Sequence, residues 1–95
     1  MDTEELGGNI ALSGFSDCDS GTMIILKKII GNYAKDFSER LDDFEKLHLR
    51  LIRNERQFDV EAIVTRSGSS TSYNASESNI FVGVDGALKK AVRSF

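Results

Sequence analysis

Residues Tyr73–Phe95 read YNASESNIFVGVDGALKKAVRSF, and the hydrophobic pattern changes period within them. Thr71, Tyr73 and Ala75 alternate with Ser72, Asn74 and Ser76, as in a strand that turns one face toward a core. Beyond Asn79 the apolar residues recur as Phe81, Val84, Leu88, Ala91 or Val92, and Phe95. That spacing stacks side chains along one face of an α-helix. Ser78 or Asn79 stands where a side-chain oxygen is needed to accept from the helix's first free N–H groups. Opposite the apolar stripe lie Gly86, Lys89, Lys90 and Arg93. The stretch is a strand running into a capped helix with a basic outer face.

The preceding segments supply a sheet for this helix to cover. Phe44–Arg53 (FEKLHLRLIR) sends Leu47, Leu49 and Leu51 to one face and Lys46, His48 and Arg50 to the other. Gln57–Arg66 sends Phe58, Val60, Ala62 and Val64 one way and Asp59 and Glu61 the other. Asn54-Glu55-Arg56 is short enough for a hairpin loop, so basic and acidic outer rows face each other across it. Ser67-Gly68-Ser69-Ser70 forms a second turn before Thr71–Glu77 returns as the last strand. Upstream, Met23, Leu26, Ile30, Tyr33, Phe37 and Leu41 predict a helix over about Thr22–Leu41, the clearest helical period in the chain. Gly31 interrupts its polar side. Asn9–Phe15 reads as a short first strand, and residues 1–8 as a flexible acidic lead-in jointed at Gly7-Gly8.

The element order is therefore β-α-β-β-β-α over residues 9–95, one α+β domain with a four-stranded, mostly antiparallel sheet. Both helices cover the same face and leave the other open. Three strands joined by short turns form an antiparallel meander, and the helical crossover sets the first strand parallel to the second.

Composition narrows the function. The chain has 95 residues and a formal charge of −3, which allows one modest core and argues against a strongly basic duplex-binding domain. The charge is uneven: residues 1–21 hold five acids and no Lys or Arg, whereas residues 22–95 hold all twelve Lys and Arg against ten acids. The one cysteine, Cys18, excludes an internal disulfide and fits a reducing compartment. The acidic start does not read as a secretory signal, the apolar run at Met23–Leu26 stops at Lys27-Lys28, and a cytoplasmic location is expected. Asn74-Ala75-Ser76 matches a glycosylation acceptor, a coincidence in a chain without such a signal.

Chemistry has few footholds. Asp17-Cys18-Asp19-Ser20-Gly21 has the spacing of a calcium-loop fragment but lacks the downstream ligands. It reads instead as a turn in which Asp19 or Ser20 caps the first helix. One His and one Cys in different elements could form an acid/base or thiol site only by assembling across the fold, and phosphate-loop, dinucleotide and zinc spacings are absent from the sequence. Cys18 near a helix N-terminus reads as a small filler rather than a reactive thiol. An enzyme is not expected, and neither is a cofactor, a metal or a small-molecule substrate.

The stretch Ala75-Ser76-Glu77-Ser78-Asn79-Ile80-Phe81-Val82-Gly83-Val84-Asp85-Gly86, followed by Lys90 and Arg93, resembles the signature of the ribosome hibernation-promoting factor (protein Y, sigma-54 modulation) family in its short, single-domain form. That signature is an Ala, an acidic-polar run, an apolar-aromatic pair, an Ala-Ile-Asp and a helix bearing Lys and Arg. The element order resembles the family over residues 9–95, the detailed motif only over the last quarter of the chain. Gly83, and Gly31 in the first helix, depart from it. The resemblance implies a factor that binds rRNA of the small ribosomal subunit in the decoding channel and silences idle ribosomes.

The candidate phosphate contacts are Lys27, Lys28, Lys35, Lys89, Lys90 and Arg93, which two helices packed side by side would present on one surface. Gly31 and Gly86 among them would let a phosphate backbone approach closely. The same residues also fit an ordinary solvated helix face, the commoner fate of charges opposite an apolar stripe. Lys46, His48 and Arg50 form a second basic row, better explained by pairing with Asp59 and Glu61. That row carries no aromatic side chains for stacking bases. A double-stranded-RNA-binding domain would need its lysines at the start of the last helix, where this chain has none. The alternative function is a protein-interaction module of the same fold, with a partner on the open sheet face or a free sheet edge.

Overall fold

The computed structural model describes residues 3–95 and contains seven elements. These are β1 (Thr3–Glu5), β2 (Ile10–Ser13), α1 (Ser20–Arg40), β3 (Phe44–Arg53), β4 (Phe58–Arg66), β5 (Ser69–Glu77) and α2 (Ile80–Arg93). The strands form one sheet in the order β1-β2-β3-β4-β5. β2 and β3 pair parallel across the α1 crossover, and every other neighbouring pair is antiparallel. The α+β class and, from β2 onward, the element order match the sequence reading.

The sheet has five strands rather than four. Thr3–Glu5, within the stretch read as a lead-in, folds back so that Thr3 stands opposite Ser13 and Glu5 opposite Ala11. The reversal is local: Leu6 N–H donates to the Ile10 carbonyl at 2.7 Å while Gly7 adopts φ +72°, a conformation glycine takes without steric cost. Residues 1 and 2 of the lead-in lie outside the described residues.

Side-chain alternation decides the faces. Leu47, Leu49 and Leu51 of β3 and Val60, Ala62 and Val64 of β4 are buried, each directed toward the helices as period two requires. Leu26, Ile30 and Phe37 of α1 and Val84, Ala87, Leu88 and Ala91 of α2 meet them in one core. The stripe of α2 is rotated from the sequence reading. Ile80, Gly83 and Ala87 are buried, while Phe81 and Val92 are half-buried. Small residues face the sheet here because α2 lies close to it: a Cβ at Gly83 would stand 3.2 Å from Val60 Cγ2.

Caps fix the helix starts. Asp19 Oδ1 accepts from Thr22 N–H at 2.7 Å, and Asn79 Oδ1 accepts from Phe81 and Val82 N–H at 2.8 and 3.2 Å. Each satisfies donors that a helix's first turn leaves free. Asp19 is therefore a cap and not half of a calcium loop. β2 stops at Ser13 because Gly14 adopts φ +84° against the Leu51 carbonyl, where a Cβ would collide with that oxygen.

Candidate nucleic-acid interface

The two helices meet through a polar contact set into an apolar seam. Tyr33 Oη donates to Asp85 Oδ1 at 2.7 Å, and the Phe37 and Phe95 rings pack edge-on with centroids 5.1 Å apart. Burial, then the Asp85 carboxylate, pushes the Tyr33 phenol up to about 12, so it stays a donor throughout the physiological range. Asp85 is held below the ordinary carboxylate range by that hydrogen bond and by Lys89. The contact pins α2 against α1 and fixes which side chains face outward.

The six candidate cations do not form one field. Lys28 and Lys35 are exposed on α1 and carry no ion pair among the described residues. Seven residues apart, they lie on one side of the helix about two turns from each other. Arg93 is likewise exposed and unpaired on α2. Its charge reaches the Tyr33 phenol, opposing the upward shift. Lys89 is exposed but pairs with Asp85 at 3.2 Å, four residues earlier on α2. An exposed pair of this kind opens at little cost, because the median surface ion pair contributes about 0–1 kcal/mol.

Lys27 and Lys90 point elsewhere. Lys27 Nζ lies 3.5 Å from Glu4 of β1, at the edge of the sheet farthest from the strands that α2 covers. Lys90 Nζ donates to the main-chain carbonyl of Asn74 in β5, the opposite edge. Gly86 also turns toward the sheet, where a Cβ would contact that of Ala75 at 3.5 Å. Gly31 does lie open, with nothing within 4 Å of a Cβ built on it. The outward basic surface is thus Lys28, Lys35, Lys89 and Arg93 with Gly31, interrupted by Asp36, Asp85 and Glu39. Asp36 is itself engaged by Arg40 at 3.0 Å.

Of the second basic row only Arg50 makes the cross-strand pair expected of it, whereas Asp59 accepts from Asn54 and Ser76 instead. Arg50 stands opposite Glu61 and meets it at 3.0 Å. His48 Nε2 lies 2.7 Å from Ser13 Oγ, which contacts Thr3 Oγ1 at 3.1 Å. Burial, then the neighbouring Lys46 and Arg50 charges, holds His48 below the ordinary histidine range. It is therefore a neutral link tying three strands together. The Ser13 hydroxyl is shielded, its residue only 2% exposed. Cys18 is half-buried and accepts from Arg53 Nη2 at 3.1 Å.

Sequence reasoning missed the Tyr33–Asp85 contact. Helical spacing puts Tyr33 in the apolar stripe, and only its hydroxyl at the stripe's margin signals a polar partner. Among the described residues no group of three His, Cys, Asp or Glu is arranged to hold a metal ion. No helix there is long and apolar enough to cross a membrane.

The chain matches no protein-family model, and no curated protein matches it in sequence. Solved structures do share its fold. One of them is a ribosomal subunit interface protein from Coxiella burnetii, with a TM-score of 0.64 over 90% of this chain and 89% of that one, at 17% identity. The α+β arrangement of two helices on one sheet face is thus a fold found in a ribosomal subunit interface protein.

Proposed function

We propose that this protein is a ribosome-associated factor that binds small-subunit rRNA through the outer surface of its helix pair. It inhibits translation by occupying the decoding channel rather than by catalysis, and the reading carries a cytoplasmic location with it. The observation that carries the proposal is the fold shared with a ribosomal subunit interface protein across nearly the whole of both chains. The outward cations of that same helix pair, Lys28, Lys35, Lys89 and Arg93, support it. Lysine and arginine neutralise phosphates and release counterions, which supplies affinity without a need for base readout.

Co-sedimentation of the purified protein with small ribosomal subunits across a salt series tests the proposal. Four phosphate contacts give a slope of log affinity against log salt of about −3. Reversing Lys28, Lys35 and Arg93 to Glu is expected to abolish co-sedimentation while leaving the thermal midpoint nearly unchanged. Absence of the wild-type protein from the ribosomal pellet at low salt would sink the proposal. The second reading, a protein-interaction module with its partner on the open sheet face or a free edge, draws on Ile52, an apolar residue exposed on that face. In that case binding to a protein partner would survive the charge reversals.

A further inference from the structure

We propose that the free edge of β5 is a self-complementary pairing surface, and that Lys90 holds it shut against a second copy of this chain. β5 ends the sheet order and runs nine residues beside β4 without a bulge. Its turn, Ser67-Gly68, has positive φ at both positions, 50° and 77°. That is the two-residue hairpin geometry in which the flanking pair, Arg66 and Ser69, is hydrogen-bonded. By alternation the N–H and C=O groups of Ser69, Thr71, Tyr73 and Ala75 serve β4, and those of Ser70, Ser72, Asn74 and Ser76 point outward.

Such an edge is a template for another strand. From Ser69 to Ser76 it contains no charge and no proline, so an identical strand laid antiparallel meets no like-charge repulsion from the strand itself. With the two-fold axis at Tyr73, Ser72 of each copy falls opposite Asn74 of the other, and Ser70 opposite Ser76. All of these are outward-bonding positions, so the register closes on itself as an isologous interface must. The other edge, β1, spans three of the described residues.

Lys90 stands at the middle of this edge. Reaching over from α2, its ammonium takes the Asn74 carbonyl, the acceptor that the Ser72 N–H of a second copy would need. In the paired arrangement two Lys90 ammonium groups would also converge beside the axis, with no carboxylate on that stretch to separate them. Lysine here both satisfies an exposed acceptor and repels a copy of itself.

Sedimentation velocity of the full chain, from low micromolar to near-millimolar concentration, tests this. Lys90→Met keeps the apolar stem over β5 and removes the cation. It is expected to sediment with the mass of two copies at the top of the range, whereas the wild type and Lys90→Arg stay at one. Adding Ser72→Pro, which deletes one outward N–H without touching the β4 ladder, restores the single-copy mass. Circular dichroism of each variant shows that it has folded. A folded Lys90→Met that stays at one copy throughout overturns the proposal. A pair that survives Ser72→Pro does the same, as does a wild type that already pairs through this edge.

Discussion

Gly14 is where β2 hands the chain to the loop before α1, and its backbone admits no other residue. Gly14→Ala has to leave φ +84° or drive its methyl into the Leu51 carbonyl, a cost of about 2–4 kcal/mol. Gly31 is the opposite case. It lies in α1 with open space around it, so Gly31→Ala is expected to raise stability by roughly 1 kcal/mol from helix propensity alone. Urea midpoints of the two variants, moving in opposite directions, check both statements. Acid sensitivity is also set residue by residue. Ser67, then Arg66, holds the Asp43 carboxyl below its ordinary range, and the Thr22 N–H does the same for Asp19. Carboxyls with depressed folded values contribute stability above their unfolded pKa and lose it as pH falls through the folded one. His48, also depressed, acts with the same sign but begins to cost stability near the ordinary histidine range. Stability is therefore expected to decline in two stages on acidification. Asp43→Asn should flatten only the lower stage in urea midpoints taken from neutral to acid pH.

Between elements, the helix pair depends on Tyr33 and Asp85. α1 has a long apolar stripe, but a stripe alone lets neighbouring helices slide and rotate. A directed hydrogen bond from phenol to carboxylate, with Phe37 and Phe95 packed below it, restricts that freedom. Tyr33→Phe keeps the ring and deletes the bond. The expected loss is about 1.5 kcal/mol, the lower end for a bond to a charged group because the contact is partly open to water. Thermal melts of Tyr33→Phe, Asp85→Asn and the double variant measure the coupling, and strictly additive losses would show that the two side chains do not cooperate.

Across the whole molecule, charge is distributed by the order of the strands. Glu4 reaches Lys27 only because β1 extends the sheet beyond β2, and Lys90 reaches Asn74 only because β5 ends it on the other side. Four of the six candidate cations remain facing outward on a chain whose formal charge is −3. If net charge governed ribosome binding, Lys27→Gln and Lys28→Gln would weaken it equally. If the helix surface governs it, Lys28→Gln reduces co-sedimentation and its salt slope by about one contact's worth, 0.7–0.9, while Lys27→Gln leaves both nearly unchanged.

The element order from β2 onward, the inward faces of β3 and β4 and the helix starts to within two residues are legible in the sequence. These rest on signals carried inside short windows: the two hydrophobic periods, cap oxygens and turn residues. The sequence also foretold the Arg50–Glu61 pair, since a short hairpin fixes which residues stand opposite. The fifth strand, the rotation of α2 toward its small residues, the Tyr33–Asp85 contact and the division of the cations emerge with packing. Each depends on a partner in another element: Ser13 for Thr3, Val60 for Gly83, Asp85 for Tyr33, Glu4 for Lys27 and Asn74 for Lys90. Helical spacing says which way a lysine leaves its own helix; the strand or helix it then meets is a property of the packed molecule.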